Sequence, residues 1–191
     1  MLSLPFVCRS NRESAPKNRE TLMRKVRFTR LVFDNKRAAP HRFAIMSQLH
    51  ANCVQIGDYA LLLRGPSGSG KSSISLRLID AGGFLIADDR TDLVARDGRL
   101  IATSPATIAG LCEVRGLGIV RGLPQRPEGD VRVVIDLVDD PDLVERMPHG
   151  TSEEICGISV ARWTLCATDL ALEAKIRVAL ALATGELRLE S

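Results

Sequence analysis

The sequence predicts an α/β fold in which strands outnumber helices, and three observations carry that expectation. A strand-like apolar run, a glycine-rich loop and an amphipathic helix follow one another over residues 59–81. A compact apolar run at 84–87 ends in two aspartates, Asp88 and Asp89. One long amphipathic segment, 169–184, lies near the end of the chain. The 191 residues suffice for one substantial domain. Hydrophobic residues make up 45% and charged residues 26%, which is ordinary globular composition and excludes disorder throughout. Aromatics are 4%, with Trp163 and Tyr59 single, so the core is aliphatic. That leaves no platform for stacking single-stranded nucleic acid, and no nucleic-acid partner is expected.

The elements follow in order. Residues 53–56 and 59–64 read as two strands joined at Gly57-Asp58, a hairpin signal between β-prone runs. A glycine-rich loop covers 65–72. From Ser72 to Ala81, Ile74, Leu76, Leu78 and Ile79 fit a short helix stopped by Gly82-Gly83. Phe84-Leu85-Ile86-Ala87 suits a buried strand with carboxylates at its C-terminal end. Strand-like pieces at 92–96 and 99–102 flank an Asp97-Gly98 turn, a glycine-rich stretch covers 110–122, and 131–138 reads as a further strand. The last helix, 169–184, would present Leu170, Leu172, Ile176, Val178, Ala179 and Leu182 as its apolar face.

Charge divides the chain. Residues 1–45 hold eleven Lys/Arg against three acids, a net +8 that leaves −5 for the remainder of a chain of net charge +3. This segment reads as a basic, disordered extension, and the domain as 46–191. No run approaches the roughly 20 apolar residues that span a bilayer. The five cysteines are odd in number and form no C-x-x-C pair. That pattern points away from a disulfide framework or zinc site and toward a reducing, cytoplasmic setting.

Gly65-Pro66-Ser67-Gly68-Ser69-Gly70-Lys71-Ser72 matches G-x-x-x-x-G-K-[ST], the phosphate-binding P-loop, with Ser73 just beyond it. Gly68 and Gly70 let consecutive N–H groups turn inward as an anion nest. The helix that follows points its positive end at the same phosphates. Lys71 would reach the β- and γ-oxygens and Ser72 would coordinate Mg²⁺, so ATP or GTP binding is expected. Asp88-Asp89 sit on the next strand, where one carboxylate can order metal-bound water while the other accepts a proton. His50 lies fifteen positions before Gly65. In Cys112-Glu113-Val114-Arg115-Gly116-Leu117-Gly118-Ile119-Val120, alternation would set Glu113 and Arg115 on one face.

Together, His50, GPSGSGKS, the Leu85-Ile86-Ala87-Asp88-Asp89 strand and the Glu-Val-Arg-Gly-Leu-Gly-Ile stretch resemble the kinase domain of HPr kinase/phosphorylase, from about His50 onward. The resemblance implies a fold like that of phosphoenolpyruvate carboxykinase, hexameric assembly, ATP and Mg²⁺ as cofactors, and an HPr-like phosphocarrier as partner. It implies that Lys71 holds the phosphates, that Ser72 and Glu113 bind Mg²⁺, and that Asp89 is general base, supported by Asp88 and His50. Two departures stand out. The family's separate N-terminal domain and its P-x-R-P-G-R-N type loop, which carries a catalytic arginine, have no counterpart here, and the shape resembles the short alphaproteobacterial form. The leading expectation is therefore a protein serine kinase with weak phosphorylase activity. The alternatives are a nucleotide-binding regulatory module and a small-molecule phosphotransferase of carboxykinase-like fold.

Overall fold

The computed structural model describes residues 46–190; the basic segment 1–45, expected to be an extension, lies outside them. The elements run β1 (Met46–Leu49), β2 (Asn52–Ile56), β3 (Tyr59–Arg64), α1 (Lys71–Asp80), β4 (Phe84–Ala87), β5 (Thr91–Arg96) and β6 (Arg99–Thr103). They continue through β7 (Leu111–Val114), β8 (Gly118–Arg121), β9 (Glu128–Val138), β10 (Thr151–Ile155), β11 (Ile158–Cys166) and α2 (Leu172–Thr184). No helix among the described residues is long and apolar enough to cross a membrane.

Nine strands form one mixed sheet in the order β1-β5-β6-β9-β3-β2-β4, and β11, carrying β10, joins β9. The long β9 organises it. Its first residues pair antiparallel with β6, its later residues pair parallel with β11, and its other edge pairs parallel with β3. Leu61, Leu62 and Leu63 of β3 are fully buried, opposite Val133, Val134 and Ile135 of β9. A continuous apolar run without alternation is what burial on both faces requires. On one face Leu61, Leu63, Val133 and Ile135 pack with Ile74 and Leu78 of α1 and Leu172 and Ile176 of α2. On the other, Leu62 and Val134 meet Leu93, Leu100, Ile155 and Val160, so strands of the same sheet cover that face. Gly129 is the tightest point of that second layer. A Cβ there would stand 2.2 Å from Ile86 Cδ1 and 2.9 Å from Ala60 Cβ.

The expected hairpin at Gly57-Asp58, helix α1, strand β4 and the Asp97-Gly98 turn are all present. The Gly82 and Gly83 amides close α1 on the Ile79 and Leu78 carbonyls at 3.0 and 2.9 Å, as its sequence stop implies. Elsewhere the structure differs. Strand β9 begins at Glu128 rather than 131, and α2 at Leu172 rather than 169, because Asp169 turns back to accept the Ala171 N–H at 2.7 Å. Leu170 and Val178 are exposed, and the buried face of α2 is Leu172, Ile176, Ala179 and Leu180. The 110–122 stretch is a separate hairpin, β7-β8, and Arg115 lies in its turn, outside the strand that carries Glu113. Strand β1 and the β10-β11 hairpin were not expected at all.

Candidate active site

The hairpin β2-β3 delivers the chain into the Gly65–Ser72 loop, and α1 begins at its far end. Gly65 cannot carry a side chain: a Cβ would lie 2.6 Å from Ser69 Oγ and 2.8 Å from the Leu137 carbonyl oxygen. Pro66, Ser67 and Gly68 are exposed at the loop crest, while Ser69 is buried with its hydroxyl unpartnered. Gly70 occupies the N-cap position of α1 with φ 84°, a left-handed conformation costly for any residue with a Cβ. No side chain caps this terminus and its first turn carries no acid, so the terminal N–H groups of α1 keep their positive end uncompensated. Lys71 is buried, and its Nζ donates to the Gly65 and Pro66 carbonyls at 2.8 and 3.0 Å. Ser73 faces outward from the first turn.

Beside this loop, β4 ends in two adjacent carboxylates with opposite environments. Asp88 is 8% exposed. Its Oδ1 accepts from Asn52 Nδ2 at 2.6 Å and from Ser72 Oγ at 3.3 Å, and its Oδ2 accepts the Glu113 N–H at 2.8 Å. Asp89 takes a left-handed φ of 65°, which swings its side chain outward, 65% exposed. There His50 Nε2 and Asp89 Oδ1 stand 2.6 Å apart. An exposed pair of this kind adds little to stability, so its short geometry matters for what the carboxylate can accept rather than for folding. Asp88, Asp89 and Glu113 line one cleft together with Arg90 and Ile119, and His50 lines an adjoining one with Asp89 and Arg90.

The structure links Ser72 to Asp88, Asp88 to the Glu113 backbone and Asp89 to His50, while Lys71 turns back onto its own loop and Arg115 lies apart in the β7-β8 turn. Glu113 enters through its backbone N–H, and its side chain is exposed. Two residues were missed. Asn52 is 1% exposed and reaches Asp88 and Ser75 with its amide nitrogen and the Asp89 N–H with its oxygen. Its signal was available, since a polar side chain inside Ala51-Asn52-Cys53-Val54 must find partners when buried. Arg90 lines both clefts and was hidden by its neighbours' charges.

Cys112 lies against the same floor. Its thiol is pushed up to about 12, first by burial and then by the Asp88 charge, which keeps it protonated and inert.

The family model of the HPr serine kinase C-terminal domain matches residues 41–169, which include all of this machinery. The chain belongs to that family. HPr kinase/phosphorylase from Clostridium tetani is 42% identical over 79 residues, covering 41% of this chain and 26% of that protein. HPr kinase/phosphorylase from Lactobacillus delbrueckii subsp. bulgaricus is 33% identical over 134 residues, covering 65% of this chain and 42% of that protein. The solved Hpr(Ser) kinase/phosphatase from Coxiella burnetii superposes with a TM-score of 0.65 at 28% identity, over 73% of this chain and 97% of that one. Matches to these curated relatives therefore span between about a quarter and two fifths of their length. The HPr serine kinase C-terminal domain fold is here a strand-rich sheet with two helices, as expected from sequence.

Proposed function

We propose that this chain is an ATP- and Mg²⁺-dependent protein serine kinase that phosphorylates an HPr-like phosphocarrier, working as a homo-oligomer through a carboxykinase-like P-loop domain over 46–191. The observation that supports the reading best is the split between two neighbouring carboxylates. Asp88 is turned in toward Ser72 at the head of α1, and Asp89 is turned out onto His50. A phosphoryl-transfer site needs one group facing the nucleotide's metal and another facing the incoming hydroxyl.

The donor set suits magnesium. Ser72 Oγ and Asp88 Oδ1 are hard oxygens 3.3 Å apart, and Mg²⁺ takes one or two protein oxygens and fills its shell with phosphate and water. Glu113 at the rim is the outer ligand of the same reading. When bound, the ion offsets phosphate charge and stabilises charge developing on the leaving oxygen.

The chain's own groups supply the rest. Lys71 exchanges its two loop carbonyls for phosphate oxygens, and the α1 terminus and loop amides cradle the same charge. The carrier's serine hydroxyl approaches over the cleft, its oxygen bonds the γ-phosphorus, ADP leaves, and the hydroxyl proton passes to Asp89. His50 orients Asp89, and the accepted proton is held between the two.

Phosphorolysis, the reverse transfer to inorganic phosphate, is weak in this reading. It places an extra anion among Asp88, Asp89 and Glu113 and needs more cations than Lys71 and the metal. Lys175 is engaged by Asp169, and Arg177 donates to the Ala81 carbonyl at the opposite end of α1 from Lys71. Arg115 sits in the β7-β8 turn, and Arg90 remains as the cation lining the cleft.

Incubation with γ-labelled ATP and a purified HPr homologue tests the proposal. Label on a carrier serine is the expected result. ATP binding without transfer would replace the kinase with a nucleotide-binding module, and label on a metabolite instead would favour a small-molecule phosphotransferase.

A further inference from the structure

We infer that Asn52 is a positioning residue that separates the roles of Asp88 and Asp89. The inference rests on the phosphoryl-transfer reading above. Asn52 opens β2, one step beyond the Cys53–Ala87 pair that ends the β2-β4 ladder, so its side chain meets the chain just where β4 stops. Its buried carboxamide has two hands. The nitrogen donates to Asp88 Oδ1 at 2.6 Å and to Ser75 Oγ at 3.1 Å, with Ser72 Oγ at 3.4 Å. The oxygen accepts the Asp89 N–H at 3.0 Å.

The second contact fixes a backbone that an L-residue seldom adopts. Asp89 has φ 65°, a left-handed conformation that costs of order 1–3 kcal/mol and persists only where its surroundings hold it. That turn is where the chain leaves β4, and within it the Asp89 side chain stands against His50. The first contact holds Asp88 toward Ser72. One neutral amide therefore pins one carboxylate inward and the next outward, and it does so without adding charge between them. An aspartate at position 52 would keep the acceptor but turn a third carboxylate onto Asp88; an alanine would remove both contacts.

The test uses the full chain and two readouts. In Asn52→Ala, kcat for transfer should fall by about 10- to 100-fold, because an acceptor group is misplaced. The dissociation constant of a non-hydrolysable ATP analogue measured without Mg²⁺ should stay within about threefold, since the loop and Lys71 are untouched. Combined with Asp89→Asn, the Asn52→Ala loss should shrink, because part of it acts through Asp89 and only the part carried by Asp88 remains. The second readout needs no activity. Amide hydrogen exchange in the nucleotide-free protein should show Asp89 protected in the wild type. In Asn52→Ala, Asp89 should exchange at least about tenfold faster, while the Leu62 amide in β3 is unchanged. Unchanged Asp89 protection, or fully additive kinetics with Asp89→Asn, would overturn the inference. Should Asn52→Ala fail to fold, Asn52→Asp decides it: Asp89 protection retained with kcat reduced is expected, and full kcat overturns it. A wild-type chain that transfers nothing would defeat the kinase reading, and the exchange data would still decide whether Asn52 holds the Asp89 turn.

Discussion

Lys71 Nζ rests on the carbonyls of Gly65 and Pro66, so the proposed nucleotide binding would be an exchange of acceptors rather than the capture of an anion by a free cation. The gain comes from replacing two neutral acceptors by charged oxygens, a contact typically worth about 1.5–3 kcal/mol. Lys71→Ala should therefore weaken ATP binding by about tenfold or more. Titration with a fluorescent ATP analogue checks this, and unchanged affinity would remove the loop from the nucleotide site. Asp89 differs in kind. Asp89→Asn keeps the shape and the left-handed turn that asparagine tolerates, but the amide cannot take a proton. Transfer should fall by about 100-fold, within the usual range for general-base loss, with ATP-analogue affinity nearly unchanged. If kcat survives, Asp88 is the first candidate for the base, and Asp88→Asn should then carry the defect. These residues were legible in the sequence because each stands in a motif whose spacing follows from chemistry. Arg90 stands in no motif, and Asn52 carries only the general signal of a polar residue in an apolar run; their partners follow from where β2 and β4 end in space.

At the scale of elements, the sequence pattern held where a Gly-Asp or Asp-Gly turn joins two strands and failed where the turn carries no such signal or the pairing is long-range. The Gly57-Asp58 and Asp97-Gly98 hairpins could be read directly. The β10-β11 hairpin turns at Cys156-Gly157, where Cys156 has φ 53°, a conformation its residue type does not advertise. Strand β1 is defined by its partner β5 rather than by its own half-exposed residues. The apolar face of α2 was misdrawn because Leu170 precedes the helix and Val178 projects to solvent, while Leu180 was needed inside. Gly129 tests the packing of β9 against its cover. Gly129→Ala would drive a methyl into Ile86 and Ala60, and overpacking of this kind costs about 1–3 kcal/mol. Urea denaturation should show that loss; an unaltered midpoint would mean the second layer can open.

The strand that feeds the loop has its own anchor. Arg64, the residue before Gly65, forks onto both Asp136 of β9 and Glu153 of β10, and Arg162 of β11 also donates to Asp136. Burial opposes ionisation of Asp136, yet the Arg64 and Arg162 hydrogen bonds outweigh it and hold its carboxyl below the usual range. An acid held low in the folded state stabilises the fold above its unfolded pKa of about 3.9. That contribution fades as pH falls through the folded value. The Asp136→Asn midpoint should thus lie below the wild type at neutral pH, and the gap should narrow as pH falls from about 4 toward the lower folded value. A gap that stays constant on acidification would contradict the assignment.

Over the whole molecule, a sheet buried on both faces carries a cleft bounded by the ends of β2 and β4. The function proposed for it is directional transfer to serine, with the reverse reaction limited by cations. Pyrophosphate release from phosphorylated carrier and excess phosphate should run well below forward transfer in the same preparation, and Arg90→Ala should lower it further. Comparable rates in both directions would contradict the claim that the reverse reaction is limited by cations. The most direct measurement is single-turnover transfer from γ-labelled ATP to a purified HPr homologue, beside a copy whose acceptor serine is replaced by alanine. The account predicts label on the serine-bearing carrier alone, dependent on added Mg²⁺. No label on either carrier, with ATP bound, would contradict it.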